Sequence, residues 1–540
     1  MLIAVGNSPT MERGRIARLR RAIVRSEFVR QGGRGCAYGR APKAEHHPYL
    51  PLLSAWQIVG GMSQPNDLTS QIKRYMPWLV AVSLFMENLD ATIVNTAVPT
   101  MARALEVTPL SLKGVLTSYT LCLAVFIPIS GWMADRYGTR RVFTWAVSLF
   151  TLGSLLCGLA VNSHMLVVSR VVQGIGGAMM TPVGRLALVR TFPRSEMLAA
   201  MNYVVIPALI GPLLGPFVGG MIVHWLPWRT IFFVNLPIGL LGLWLIKRHM
   251  PDYRDAAVAP LDRRGFLLFG SGIALLSYVL EIFGEHRLPP GPILVLLAIS
   301  LGLLAAYYWH GRRIPNPVMR LTLFDVRTFN VAVLGGIITR LGIGGMPFLL
   351  PLLYQIGLGF PAWQAGLLTM PQAAAAIFMK AMSKSILARF GHRQVLILNT
   401  VLFGCTIMVF SLVGPGTPIW GILLLSFMQG FFSALQFTSM NTLVYADIDD
   451  RDASMANSIA STAQMMALSF GVAFASLLAG WFIGRTPQTD TVAFIRALHH
   501  SYLALGAVTI LSSFVFWRLQ PNDGNNVSNR AATPEAAEAA

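Results

Sequence analysis

The chain reads as an all-α polytopic membrane protein, and three observations carry that reading. Apolar residues make up 54% of its 540 residues and charged residues only 12%, with a mean hydropathy of +0.58. A soluble domain carries about 25% charged residues. The apolar residues gather into runs of membrane-crossing length, about twenty residues for a helix. The basic residues cluster in short connections between those runs. The net charge of +19 is therefore an orientation signal, not a nucleic-acid footprint. The implied partner is a lipid bilayer.

Fourteen spans follow in order. The run 78–102 ends before Arg103, 112–133 ends before Asp135-Arg136, and 142–161 starts after Arg140-Arg141. The run 165–189 ends at Arg190, 199–224 is rich in Gly and Pro, and 230–249 opens after Trp228-Arg229 and closes on Lys247-Arg248. Two more, 265–283 and 291–309, lie between Arg263-Arg264 and Arg312-Arg313. The last six are 329–355, 364–387, 394–413, 418–442, 455–483 and 500–518. Short connections suit a packed bundle; the longest, Lys247–Arg264, carries both signs of charge. With the N-terminus inside, basic residues favour the cytoplasmic loops roughly three to one, which places both termini in the cytoplasm.

The expected organisation is a basic N-terminal extension at 1–74, a six-helix bundle at 75–250, a linker with two extra helices at 251–320, a second six-helix bundle at 321–520 and a disordered tail at 521–540. Residues 1–61 hold ten Arg/Lys against three Glu and no run long enough to span. Such a leader suits a transit peptide, a basic surface helix, or sequence upstream of the true start. Met62, followed by a polar lead-in, favours the last, so residues 1–61 are expected to be dispensable. The four cysteines are scattered and suggest neither disulfides nor a metal site. No His or Cys constellation offers the nucleophile, base or metal of a membrane-embedded enzyme.

Asp90 lies near the centre of the first span, with Glu87 one turn earlier and Asn95 one turn later. A charge at that depth costs roughly 2.5–3.5 kcal/mol on insertion scales, so an acid kept there points to proton or substrate handling. Acids at i and i+3 face similar directions. The loop after the second span carries Gly131, Asp135, Arg136, Gly138, Arg140 and Arg141, with the glycines expected to allow close helix approach and a tight turn. A degenerate echo, Arg389-Phe-Gly391-His392-Arg393, sits between the spans 364–387 and 394–413, as parallel repeats would give. Span 165–189 holds Arg170 and Gln173 before a glycine cluster; no strand precedes it, so this is no dinucleotide fingerprint. Span 199–224 carries Gly211, Pro212, Gly215, Pro216, Gly219 and Gly220. Glycines four apart form a groove for close packing. Arg340 lies inside the span 329–355, where an arginine faces a cavity or an acid. Gln429, Gln436, Asn441 and Gln464 fit either a cavity lining or interhelical glue.

These segments together resemble the major facilitator superfamily over residues 75–520. The 131–141 loop resembles its signature G-x-x-x-D-R-x-G-R-R, Arg170–Gly174 its R-x-x-Q-G segment, and Gly211–Gly220 the antiporter motif of its exporters. Leu89–Pro99, reading LDATIVNTAVP, and Trp228–Gly239 resemble the fourteen-span drug:proton antiporters of the EmrB/QacA type. Glu87 departs from that pattern, in which its place is generally uncharged. The resemblance implies the major facilitator fold, two six-helix bundles with two extra central helices. It also implies proton-coupled export of small molecules such as drugs across the inner membrane. Asp90 would carry the proton, Arg170 would sit near its route, and Asp135 would latch the loop. The proton gradient would drive transport with no bound cofactor. An endogenous metabolite such as an organic anion or metal chelate is the alternative substrate, and other efflux components are left open.

Overall fold

The computed structural model describes residues 68–255, 258–283, 289–449, 451–484 and 490–528. The chain divides into two compact units, Met1–Gln64 and Pro65–Ala540. The expectations for residues 1–61, the Met62 start included, lie outside the described residues. The second unit is a helical bundle, and all its regular structure among the described residues is helical.

The first six spans are helices α1 (Leu68–Ala104), α2 (Lys113–Tyr137), α3 (Thr139–Gly158), α4 (Ser163–Thr191), α5 (Arg194–Trp225) and α6 (Asn235–His249). Polar caps set several starts. Asn162 accepts from the Met165 N–H at 2.8 Å and so begins α4 where the apolar run begins. Gly138, at φ 98°, is the single residue between α2 and α3; a side chain is disfavoured in that conformation. The central pair is α7 (Arg263–Phe283) and α8 (Pro290–Arg313). The second bundle is α9 (Arg327–Leu352), α10 (Ala362–Val409), α11 (Ile419–Leu443), α12 (Ala453–Ile483) and α13 (Thr491–Leu511).

Thirteen helices are long and apolar enough to cross a membrane, against fourteen expected spans. The difference is α10. Its 48 residues would run about 72 Å if straight, more than twice a hydrocarbon core. Gly391, at φ 75° and ψ 163°, breaks it into two helices that meet at a kink, and these supply the spans expected at 364–387 and 394–413. Two expected boundaries also move. The first helix begins at Leu68, inside the extension expected to reach 74. Residues 521–528, expected in the tail, form a turn and the short helix Asn525–Ser528. Asp523 holds this segment by accepting from Arg327 Nη2 at 2.7 Å and Nε at 3.2 Å.

The core differs between the two ends of the bundle. At the end opposite Asp135, a single apolar cluster joins both halves, with Ile93, Val98 and Trp228 from one and Met346, Leu353 and Ala365 from the other. Gln355 Nε2 donates to the Thr96 carbonyl at 2.8 Å across that seam. Toward the Asp135 end the core separates into one cluster within the first bundle and another centred on the second. Helix α7 closes part of the seam. Its Phe269 and Ile273 pack with Ile129 of α2 and Ile459 of α12, and Lys113 Nζ of α2 donates to the Glu281 carbonyl at 2.7 Å. Helix α8 stands outside it and exposes Leu294, Val295 and Trp309, as a lipid-facing helix does.

Candidate functional site

Asp90 is the hub of a buried polar cluster inside the first bundle. It is 0% exposed, and Arg170 and Asn235 are 1% exposed. Arg170 Nη1 donates to Asp90 Oδ2 at 2.5 Å. Gln173 Nε2 and Asn235 Nδ2 donate to Oδ1 at 2.9 Å and 2.8 Å. Asn235 Nδ2 also donates to Ser154 Oγ at 2.9 Å, and Ser154 Oγ donates to the Phe232 carbonyl at 3.0 Å. Arg170 completes its own shell with Gln173 Oε1 at 2.7 Å, the Val115 carbonyl at 3.2 Å and the Tyr119 ring at 4.3 Å. Four helices thus converge on one carboxylate. The arrangement suits a low-dielectric interior, where an unpaired charge is costly and a fully hydrogen-bonded pair is tolerated.

Glu87 takes a different partner. Thr181 Oγ1 donates to Glu87 Oε2 at 2.7 Å, one turn of α1 closer to the Asp135 end. The two acids face the same helix, α4, as their spacing implied, yet each has its own donor. Asn95 is half-buried and joins neither group; five residues past Asp90, it turns about 140° around α1.

The glycine motif of α5 presses on the acid-bearing helix. A Cβ on Gly211 would lie 3.0 Å from the Leu89 nitrogen, and one on Gly219 would lie 2.5 Å from the Ile93 carbonyl. At Gly215 the obstacle is the Thr92 hydroxyl, 2.0 Å away. These glycines bracket Asp90 along α1. Gly220 meets α10 instead, with the Ala362 carbonyl 2.3 Å from its would-be Cβ. The motif therefore touches both halves. Pro212 and Pro216 lie within the same helix, where their missing N–H groups soften it.

The loop at the far end is tied down by the segment that follows α6. Arg190 Nη2 donates to Asp135 Oδ1 at 2.7 Å and to Asp255 Oδ2 at 2.9 Å. The Arg140 backbone N–H donates to Asp252 Oδ1 at 3.1 Å, and its guanidinium to the Lys247 carbonyl. Thr139 N–H donates to the Tyr253 carbonyl at 3.0 Å, Asp255 N–H to the Asp135 carbonyl at 3.2 Å, and Trp132 Nε1 to the Ala259 carbonyl at 2.8 Å. Arg136 and Arg141 are exposed. Gly138 serves the tight turn, as expected. Gly131 does not serve close approach: nothing lies within 4 Å of its would-be Cβ, because its bare face points away from neighbouring helices.

Arg340 stands apart from the Asp90 cluster. It is 4% exposed, donates from Nη2 to Asn441 Oδ1 at 3.1 Å and lies over the Phe437 ring at 5.5 Å. Among the described residues it forms no ion pair, and its Nε has no hydrogen-bond partner. Gln436 is interhelical glue, bonded to Thr400 at 2.7 Å and Asn399 at 2.7 Å. A cavity of about 630 Å³ lies at the end opposite Asp135, lined by Thr100, Arg103, His224, Gln355 and Phe360, away from both buried charges.

A family model, the Major Facilitator Superfamily, matches residues 80–463 and 332–539. The chain belongs to that superfamily. Within it, relatives provisionally named multidrug resistance protein MdtD are similar over most of their length. The one from Pectobacterium atrosepticum is 39% identical over 461 residues, covering 85% of this chain and 98% of its own. The one from Yersinia enterocolitica is 39% identical over 466 residues, with 85% and 98% covered. Among solved structures, a POT family transporter bound to a thioalcohol-conjugated peptide superposes with a TM-score of 0.62 at 15% identity, covering 82% of this chain and 95% of its own. A D-xylose–proton symporter gives 0.59 at 15% identity, with 83% and 98% covered. These structural likenesses establish the superfamily fold. The protein is a multi-pass membrane transporter and not an enzyme.

Sequence reasoning placed Asp90, Arg170 and Gln173 together through motifs, and the structure brings them within hydrogen-bond distance. It missed Asn235 as a partner of Asp90 and Ser154 as the hydroxyl behind Asn235. Asn235 stood within the recognised Trp228–Gly239 segment, the one signal that could have found it. Ser154, a serine in an apolar span, offered none.

Proposed function

We propose that the protein exports a small molecule across the inner membrane in exchange for protons, by alternating access, with Asp90 as the proton carrier. The observation that carries this reading is the fully buried Asp90–Arg170 pair, held by neutral donors from Gln173 on the same helix as Arg170 and from Asn235 on α6. A carboxylate in such a place can exchange a counter-cation for a proton, and the exchange changes which helices it holds. Glu87, half-buried one turn closer to the Asp135 end, offers a second acid on the same helix. The charge bias of the loops supports placing the Asp135 end in the cytoplasm. In that orientation the shared core closes the outer end, and the split cores leave the inner end to open. One proton descending the membrane potential supplies about 2.3 kcal/mol per 100 mV.

The relatives' name supports a drug-like substrate. A second reading, export of an organic anion or metal chelate, is favoured by Arg340, a buried cation with no acid partner among the described residues. Uptake into inside-out vesicles under an imposed pH gradient tests both. Gradient-driven accumulation of cationic drugs supports the first reading, and accumulation of organic anions or their metal complexes supports the second. Substrate movement that ignores the gradient overturns proton coupling.

Loosening the loop should alter rate more than fold. Asp135 and Asp255 share Arg190 at a half-exposed surface, where one ion pair contributes no more than about 1 kcal/mol. Asp135→Asn is expected to slow transport several-fold while leaving insertion and thermal stability near wild type, and Arg140→Ala likewise. Cysteine labelling at the Asp135 end should show a changed balance of open and closed states. An unchanged labelling pattern with unchanged transport removes the latch.

A further inference from the structure

The two oxygens of Asp90 are held differently. Oδ1 accepts from two neutral amides, Gln173 and Asn235, at 2.9 Å and 2.8 Å. Oδ2 accepts from Arg170 alone, at 2.5 Å. An ionised carboxylate offers about four lone-pair directions, two per oxygen. Oδ1 has both of its directions taken. Oδ2 keeps one direction open, so a proton can arrive there without displacing either amide, and an arginine, having no acceptor, cannot receive the new O–H.

The two amides are not equivalent either. Gln173 Oε1 accepts from Arg170 Nη1 at 2.7 Å, so a guanidinium that leaves Asp90 pulls on Gln173. Asn235 makes no bond to Arg170. Its amide is anchored on the far side at 2.9 Å to Ser154 Oγ, which bonds the Phe232 carbonyl at 3.0 Å; Gln173 Nε2 reaches the same hydroxyl at a longer 3.3 Å. A glycine contact clamps the Asn235 anchor: a Cβ on Gly239, one turn along α6, would meet Thr151 Oγ1 of α3 at 2.1 Å. The donor built to stay when Arg170 moves is Asn235.

Resting on the reading of Asp90 as the proton carrier, we propose that Asn235, seated by Ser154, is a positioning residue that holds Oδ1 in both protonation states and so assigns proton exchange to Oδ2. The balance is simple. A proton from water bonds to Oδ2, the Arg170 N–H···O bond breaks, and the guanidinium keeps its contacts with the Val115 carbonyl and the Tyr119 ring. On release the O–H bond breaks, the proton returns to water, and Arg170 re-forms its bond. The charged and titratable groups around Asp90 are Glu87 on its own helix, Arg170 on α4, Tyr119 and Cys122 on α2, and Cys157 on α3. Asn235 is the neutral donor among them whose loss leaves all of these in place.

Infrared difference spectroscopy on the full chain in lipid nanodiscs tests this without knowledge of the substrate. Titration with acid should raise a carbonyl stretch of a protonated carboxyl that Asp90→Asn lacks. Asn235→Ala is expected to move that band to higher frequency, through loss of the bond to the carbonyl oxygen. It should also shift its midpoint upward by about one pH unit, the size of a hydrogen bond to a charged group. Ser154→Ala should give a smaller shift in the same direction. Asn235→Asp keeps the shape if the alanine variant fails to fold, and should split the titration into two coupled steps. A band in Asn235→Ala with unchanged frequency and midpoint, or a single unaltered step in Asn235→Asp, overturns the positioning role and leaves the proton carrier intact. Absence of any Asp90-dependent band overturns the carrier reading itself.

Discussion

Asp90→Asn is expected to abolish gradient-driven export while leaving an inserted, folded protein. Asn matches Asp in shape and can still accept from Gln173 and Asn235 through its carbonyl oxygen, with its amide nitrogen then facing Arg170. Its amide group, however, donates, and it meets a ring of donors. Removing one member of a buried pair costs about 3–5 kcal/mol when the remaining charge is left bare. Arg170 is not left bare, because Gln173 Oε1, the Val115 carbonyl and the Tyr119 ring remain. The loss should therefore fall on coupling and not on folding. Efflux under a pH gradient and substrate binding without one are the two measurements. Binding retained with efflux lost is the expected result; full gradient-driven efflux would remove Asp90 from the mechanism and pass coupling to Glu87. Glu87→Gln should be milder, because Thr181 can donate to a glutamine carbonyl as it does to the carboxylate.

The second large effect is steric. Gly219→Ala places a methyl 2.5 Å from the Ile93 carbonyl, a backbone atom of the helix that carries Asp90. Neither backbone can yield locally, so α1 and α5 must part. Overpacking of this kind costs about 1–3 kcal/mol, and here it also shifts Asp90 away from Arg170. Transport should be lost and thermal unfolding should come several degrees earlier. Gly215→Ala should act in the same direction, because its methyl meets the Thr92 hydroxyl at 2.0 Å and the Thr92 Cβ at 2.9 Å, and rotating the hydroxyl does not move the Cβ. Gly131→Ala is the control, with open space around its Cβ. Equal behaviour of Gly219→Ala and Gly131→Ala in thermal unfolding and efflux would dismiss the close-packing account of the motif.

Much of this was legible in the sequence because the membrane makes local signals loud. An acid at mid-span and glycines at four-residue spacing are costly or specific in themselves, and they marked Asp90 and the α5 groove directly. Neutral polar residues carry no such penalty. Asn235 becomes a partner of Asp90, and Ser154 the hydroxyl behind it, only because α6 and α3 cross there closely, a fact of tertiary packing. Gly391 was readable as a connection, yet not as the single non-helical residue at which two helices meet. Asn95 looked equivalent to its neighbours in the linear motif, and helical rotation turned it elsewhere. Residues 251–259 looked like an ordinary mixed-charge connection. Their role as a strap depends on carbonyls and N–H groups that no side-chain pattern reveals.

That strap also sets how much slack joins the two halves. Bonds from Thr139, Arg140 and Trp132 fasten Asp252, Tyr253 and Ala259 to the first bundle, and α7 begins at Arg263. Only residues 260–262 remain between the last fastening and the next helix, a reach of about 10 Å when fully extended. Asp262 is itself engaged, accepting from the Gly265 N–H at 2.8 Å and bonding His310 at 2.8 Å. Helix α7 is therefore leashed to the first bundle. Beyond the central pair the connection is fastened as well, with the Met319 N–H donating to the Tyr307 hydroxyl at 3.0 Å and Arg320 pairing with Asp452 of α12. A spectroscopic label at position 254 would ride with the first bundle.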